Sequence, residues 1–194
     1  MENVVIIENI KTIREGLKSL INESPNLNCI KTFETFEQFE NEFAELNFNI
    51  LLINLDLQDI NGIEGIKKIK QRNKNLIVIV LTLHDEDDRI FKAISVGANN
   101  YLVKNATPNK IISVIEDVIE GKVLMNSFIA RKIVDYQKRN RKNNIFNKKE
   151  LKILKKVIEG NNLIAIESSL KISSDEIKNN FKNIYDKLSA SFYY

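Results

Sequence analysis

Three short runs of aliphatic, mostly β-branched residues constrain the fold more than anything else in this chain: Val4-Val5-Ile6-Ile7, Ile50-Leu51-Leu52-Ile53 and Leu76-Ile77-Val78-Ile79-Val80-Leu81. None alternates with polar residues, so each suits a strand covered on both faces, as in a parallel sheet between two helical layers. Asn28–Phe33 and Asn100–Val103 are weaker strand candidates. Helical spacing fills the gaps: Ile13, Leu17, Leu20 and Ile21; Phe36, Phe39, Phe43 and Leu46; Ile63, Ile66 and Ile69; Ile90 and Ile94; Ile111, Ile112, Ile115 and Ile119. The order predicts a (βα)5 doubly wound parallel sheet, since crossovers between parallel strands are right-handed. Its active crevice should lie at the carboxyl ends of the strands, here Glu8-Asn9, Asn54, Thr82 and Lys104.

After Gly121 the pattern becomes all-helical. A segment from about Asn126 to Lys138 leads into the basic polar run KRNRKNN, the candidate linker. Leu151, Leu154 and Ile158 then form one stripe, and a short helix is expected over Leu163–Leu170, with a turn at Lys171-Ile172. The next helix opens with Ser173-Ser174-Asp175-Glu176, a capping-box signature, and buries Ile177, Phe181, Ile184 and Leu188. Helix, short turn and capped amphipathic helix describe a helix-turn-helix unit. The expected organisation is an α/β domain over residues 1–121, a helical linker over 122–144 and an all-α domain over 145–194.

Composition narrows the function. No apolar run reaches the length of a membrane span, and the first residues carry acids where a signal peptide needs bases. A single cysteine, Cys29, cannot form an internal disulfide, and with the single histidine, His84, it cannot build a zinc site. Cys29 reads as a small buried hydrophobe and His84 as a surface loop residue. No nucleotide loop or catalytic dyad points to an enzyme. The net charge of +3 conceals an asymmetry. Residues 1–137 hold 16 basic and 20 acidic side chains, a net of −4; residues 138–194 hold 13 and 6, a net of +7. A small basic module on an acidic one is suited to meeting a polyanion.

Taken together, IREGLKSLI, NILLINLDLQDINGIEGIKKI, IVIVLTLHDEDDRIFKAISVGANNYLVKNATPNKI and the tail pattern KKELKILKKVIEG…IESSLKISSDEIKNNFKNIYDKL span nearly the whole chain. In this order they resemble bacterial response regulators of the NarL/FixJ type, with a CheY-like receiver followed by a LuxR-type helix-turn-helix. In the tail, Glu150, Gly160, Ile166, Leu170, Ser173, Ile177, Lys178, Ile184, Lys187 and Leu188 fall where that pattern expects them.

The resemblance implies a receiver that accepts a phosphoryl group on an aspartate at the end of the third strand, and there this chain departs from it. Asn54 stands at the acceptor position, and an amide is a poor nucleophile that cannot form the acyl phosphate. The acid pair that would help hold Mg²⁺ reads Glu8 and Asn9, leaving one carboxylate where three are expected. No cofactor is therefore expected. Thr82, Tyr101 and Lys104 match the switch positions, with Lys104 placed to pair with Glu8. Retained packing and a buried ion pair are the favoured reading of these three over a working switch. Asp56 and Asp59, just past Asn54, read as acids capping the helix that opens at Gly62, or as a substitute acceptor.

On the second module, the outward face of the last helix carries Lys178, Asn179, Lys182, Asn183 and Asp186. Lys178 matches the family's DNA-contacting lysine, and Asn179 and Lys182 match positions that approach base edges. Lys148, Lys149, Lys152, Lys155 and Lys156 could supply phosphate contacts. Two features count against DNA: Glu176 replaces a usual threonine, and only SASFYY follows Leu188, where the family continues into a pairing helix. The expected protein is a cytoplasmic, phosphorylation-independent transcription regulator that binds double-stranded promoter DNA. It would dimerise through its receiver, with no membrane association and no phosphotransfer from a histidine kinase. The alternative is a protein–protein regulator that titrates another response regulator or a kinase.

Overall fold

The computed structural model describes residues 1–83, 86–121, 125–139 and 145–192. Its first part is a five-stranded parallel sheet built from β1 (Glu2–Ile7), β2 (Leu27–Phe33), β3 (Ile50–Ile53), β4 (Ile77–Thr82) and β5 (Asn100–Val103), in the order β2-β1-β3-β4-β5. The strands alternate with α1 (Lys11–Glu23), α2 (Phe36–Glu42, continued by a 3₁₀ turn over Phe43–Glu45), α3 (Gly62–Arg72), α4 (Asp87–Ser95) and α5 (Pro108–Ile119). This is the expected (βα)5 architecture. Strand order reverses between β1 and β3, where a crevice opens past the strand ends. Ile7 is in register with Ile53, and Ile53 with Val80, so the residues that follow these strands emerge side by side.

Period-two alternation divides each continuous run between two cores. Val5, Ile7, Leu51, Ile53, Val78 and Val80 pack with Phe36, Ile66 and Ile90 on one face. Val4, Ile6, Ile50, Leu52, Ile79 and Leu81 pack with Leu17, Ile21, Ile111 and Ile115 on the other. Each such buried side chain contributes about 1.5–3 kcal/mol relative to exposure, which is why the runs tolerate no polar interruption.

Beyond the sheet come α6 (Ser127–Arg139), α7 (Lys148–Ile158), α8 (Leu163–Leu170) and α9 (Ser174–Phe192). The segment expected as a linker helix is part of the core: α6 buries Ile129, Ala130, Ile133 and Val134. Its Tyr136 ring meets the Phe91 ring of α4 edge-on at 5.4 Å. Asn126 anchors its start, accepting from the Ile129 amide and donating to Asn100 Oδ1 and the Tyr101 carbonyl on β5. Most of the basic run KRNRKNN lies outside the described residues. Ile153, Leu154, Ile177, Phe181, Ile184 and Leu188 join the same apolar cluster, which runs unbroken from one face of the sheet into the C-terminal helices.

Two local expectations are corrected. On α7 the buried face is Glu150, Ile153, Leu154 and Val157, with Leu151 and Ile158 only flanking it, because the helix is covered by α6 on one side and α9 on another. At the start of α9 only half of the expected capping box forms. The Ser173 hydroxyl accepts from the Glu176 amide, but the Glu176 carboxylate reaches Lys149 on α7 instead of turning back. The complete box sits on α7, where Asn147 Oδ1 accepts from the Lys149 and Glu150 amides and Glu150 accepts from the Asn147 amide. Between α8 and α9 the turn is made by Lys171 in the left-handed region (φ 54°).

Candidate functional site

The strand ends bring together all six expected pocket residues within one bonded network. Glu8, after β1, is buried, and its Oε2 lies 2.5 Å from Lys104 Nζ, with the two side chains only 2% and 4% exposed. Its Oε1 accepts from the Ile10 amide at 3.0 Å. Asn54, after β3, is also buried, and its amide group is fully engaged. Nδ2 donates to Asn9 Oδ1 (2.8 Å), to Glu8 Oε1 (3.5 Å) and to the Asp56 carbonyl (3.4 Å), while Oδ1 accepts from the Asp56 amide (3.2 Å). The Lys104 amide donates to the Thr82 carbonyl, which ties the last strand end to β4. The sixth residue, Tyr101, is buried beneath this layer and shares a hydrogen bond with Thr82; burial pushes its phenol well above the ordinary range.

The loop between Asn54 and α3 folds tightly over the strand end because residue 62 is glycine. A Cβ there would stand 2.5 Å from Leu55 Cα and 2.7 Å from the Asn54 carbonyl oxygen. Within that loop the two aspartates do not cap α3. Asn61 does, through its Oδ1 and the Ile63 amide. Asp59 instead accepts from the Glu37 amide at the start of α2. Asp56 turns toward β4 and α4: its Oδ2 accepts from the Thr82 hydroxyl at 3.2 Å, and its Oδ1 from Arg89 at 2.5 Å. The sequence reading missed Arg89 altogether, because nothing in its helical spacing shows that a residue on α4 meets a loop after β3.

The second candidate site is α9. Lys178, Asn179, Lys182 and Asn183 are all exposed, as the spacing predicts, and Ile177, Ile184 and Leu188 are buried opposite. The helix is braced from beneath: Lys187 donates to both oxygens of the fully buried Glu150, at 2.9 and 2.7 Å. One flank, however, lies against the first module. Lys178, Phe181, Lys182, Tyr185 and Asp186 share a groove with Ile94, Ser95, Gly97, Ala98 and Asn99 at the end of α4. Burial there pushes the Tyr185 phenol above its ordinary range. The signal for this packing was present in the sequence as Ile90-Phe91 and Ala93-Ile94, a helix apolar on two sides and so covered on both.

A model of the response regulator receiver domain matches residues 4–116. The chain belongs to the response-regulator family. The transcriptional regulatory protein YdfI of Bacillus subtilis is 30% identical to this response regulator over 195 residues, covering 98% of this chain and 91% of YdfI. LiaR, a transcriptional regulatory protein of the same organism, is 27% identical, covering 98% and 92%. Among solved structures, RcsB of Salmonella typhimurium superposes with a TM-score of 0.65 at 20% identity, over 96% of this chain and 91% of RcsB. RcsB of Salmonella enterica serovar Typhimurium, bound to promoter rprA in the presence of the phosphomimetic BeF3⁻, gives 0.61 at 20% identity, over 96% and 92%. The fold of the response regulator is therefore that of a two-domain relative throughout.

The resemblance implies a divalent cation beside the acceptor, and the residues present do not suit one. Of the three expected acid positions only Glu8 keeps a carboxylate, which Lys104 engages, and the Asn54 amide directs its N–H donors toward Glu8 and Asn9, where a cation would need acceptors. Hard cations need several anionic oxygens to shed their water, and at two of the three expected acid positions this pocket has the amides of Asn9 and Asn54. Cys29 offers no alternative chemistry: it is buried on β2, and burial pushes its thiol up to about 11. The reading of His84 falls outside the described residues.

Proposed function

We propose that this response regulator is a transcription regulator that binds double-stranded promoter DNA through α9 and works without phosphorylation at residue 54. The observation that carries the DNA reading is the exposed Lys178, Asn179, Lys182 and Asn183 face on a helix fixed by the Glu150–Lys187 pair, within a region of net charge +7. An asparagine side chain bonds two-fold to adenine, lysine donates to guanine, and the α7 lysines meet phosphates. The names of YdfI and LiaR, and the promoter complex of RcsB, support the same reading. Glu176, whose charge argued against DNA, is paired with Lys149 and so presents less repulsion to phosphate.

The phosphorylation-independent part rests on Asn54. A neutral amide already bonded at both ends has neither the nucleophilicity nor the freedom to attack phosphorus. In this reading residues 1–121 act as a sensing or dimerising receiver and residues 145–194 as the effector, joined by 122–144. The protein works in the cytoplasm as a receiver-mediated homodimer and as a regulator rather than an enzyme. No described helix is long and apolar enough to cross a membrane. The second reading, a regulator that titrates a protein partner, is favoured by one observation: the α4 flank of the groove covers one side of α9.

A gel shift on the protein's own promoter region separates the two. The DNA reading expects binding that Asn179→Ala or Lys182→Ala weakens by about 1–3 kcal/mol while α9 stays folded. No shift at low salt rejects it. Incubation with acetyl phosphate should add no phosphate mass; a stoichiometric adduct rejects phosphorylation independence.

A further inference from the structure

Asp56 is a second carboxylate of the strand-end crevice, apart from the Lys104-held Glu8, and it occupies two of the crevice's donors. Its two oxygens take the Thr82 hydroxyl at 3.2 Å and the Arg89 guanidinium at 2.5 Å. A hydroxyl and a guanidinium converging on one point form an oxyanion site, and here the chain supplies the oxyanion itself. The loop is built for this. Gly62 lets it lie against the strand, Asn54 Oδ1 fixes the Asp56 amide, and a bridge pairs Asp56 with Asn61. Arg89 is on the first turns of α4, whose far end forms the groove with α9. Both faces of α4 are covered, by the sheet and by the C-terminal helices, so a shift of its first turn is carried to its last.

We propose that the Asp56 carboxylate is a built-in ligand of the crevice, and that by holding Arg89 and Thr82 it keeps α4 in the position that docks α9. The part concerning DNA rests on the function proposed above; the part concerning α4 and α9 does not. Arg89 and Asp56 are 28% and 41% exposed, so the pair is screened, and the clamp is a modest bias rather than a lock. Its removal should shift the docked–undocked equilibrium about threefold. If the undocked form is the one that meets DNA, apparent DNA affinity rises by the same factor, because affinity scales with the population of the competent state.

The experiment uses the full chain carrying Ser95→Cys on α4 and Asp186→Cys on α9, two residues that line the same groove. A short bis-maleimide reports docking as the rate of intramolecular cross-linking; the buried Cys29 thiol stays unreactive. Asp56→Asn and Arg89→Ala should each lower that rate about threefold with the helical circular dichroism unchanged. Asp59→Asn, in the same loop, should leave it unchanged. The charge-swapped pair Asp56→Arg with Arg89→Asp should restore it. A rate indifferent to both single substitutions overturns the proposal, as does a swap that restores nothing. Slower cross-linking with no DNA binding in any variant leaves the clamp standing and rejects the DNA reading instead.

Discussion

Asn54 shows how one atom changes what a pocket can hold. Its Nδ2 stands 3.5 Å from Glu8 Oε1 and 2.8 Å from Asn9 Oδ1, a donor between two acceptors. Asn54→Asp places a second carboxylate beside Glu8, which Lys104 already holds. The like charge disfavours having both carboxylates ionised in the folded chain, so the penalty is absent at low pH, where one of them is protonated, and grows as pH rises. The expected loss at neutral pH is about 1–3 kcal/mol, read from urea midpoints at several pH values. Lys70 gives the opposite sign. Half-buried, donating to the Leu76 carbonyl and Asn99 Oδ1, its ammonium is pulled down to about 8 by burial. Between about 8 and the ordinary 10.5 the unfolded chain binds more protons, so stability contributed by this residue rises with pH across that window. Subtracting the pH profile of Lys70→Met isolates the effect; a flat difference contradicts it. The identity of Asn54, Glu8, Asn9, Thr82, Tyr101 and Lys104 as neighbours was legible in the sequence, because parallel strands deliver their carboxyl ends to one edge. The Asp56–Arg89 contact was not, since it depends on where a loop side chain turns.

Among the elements, α3 and α7 owe their positions to single residues at their starts. Gly62→Ala drives a methyl group into the Asn54 carbonyl and Leu55 Cα, atoms of the backbone that cannot swing aside. Its expected cost is about 1–3 kcal/mol in thermal or chemical unfolding, with the Asn54 network disturbed in amide NMR shifts. On α7, Glu150 closes the capping box and takes both bonds from Lys187 on α9. Glu150→Ala leaves the Asn147 amide and the Lys187 ammonium without that partner. Since Lys187 is about a third exposed and can rehydrate, the expected loss is about 2 kcal/mol, measured by urea unfolding. Periodicity showed that both helices exist, yet the sequence assigned the capping box to α9. Ser173 and Glu176 have the spacing, but Lys149 competes for the glutamate from another helix, and sequence spacing does not include competitors.

At the scale of the whole molecule, one apolar cluster joins a face of the sheet to the C-terminal helices through α4 and α6. Such continuity predicts a single cooperative unfolding transition in which hydrogen exchange of β4 and of α9 shares one opening free energy. Phe91→Ala removes the ring that meets Tyr136 and should cost about 3–5 kcal/mol, dividing the transition into two. A wild-type chain that already unfolds in two steps refutes this view of the core. What could be read directly from the residue order was whatever depends on neighbours along the chain: strand runs, helical stripes, the amide at position 54 and the basic face of the last helix. What needed the folded molecule were the pairings that the strand-end rule does not supply: Asp56 with Arg89, Glu176 with Lys149, α4 with α9. Local periodicity reports which side of an element is apolar, whereas the partner on that side is chosen by the packing of all the others at once.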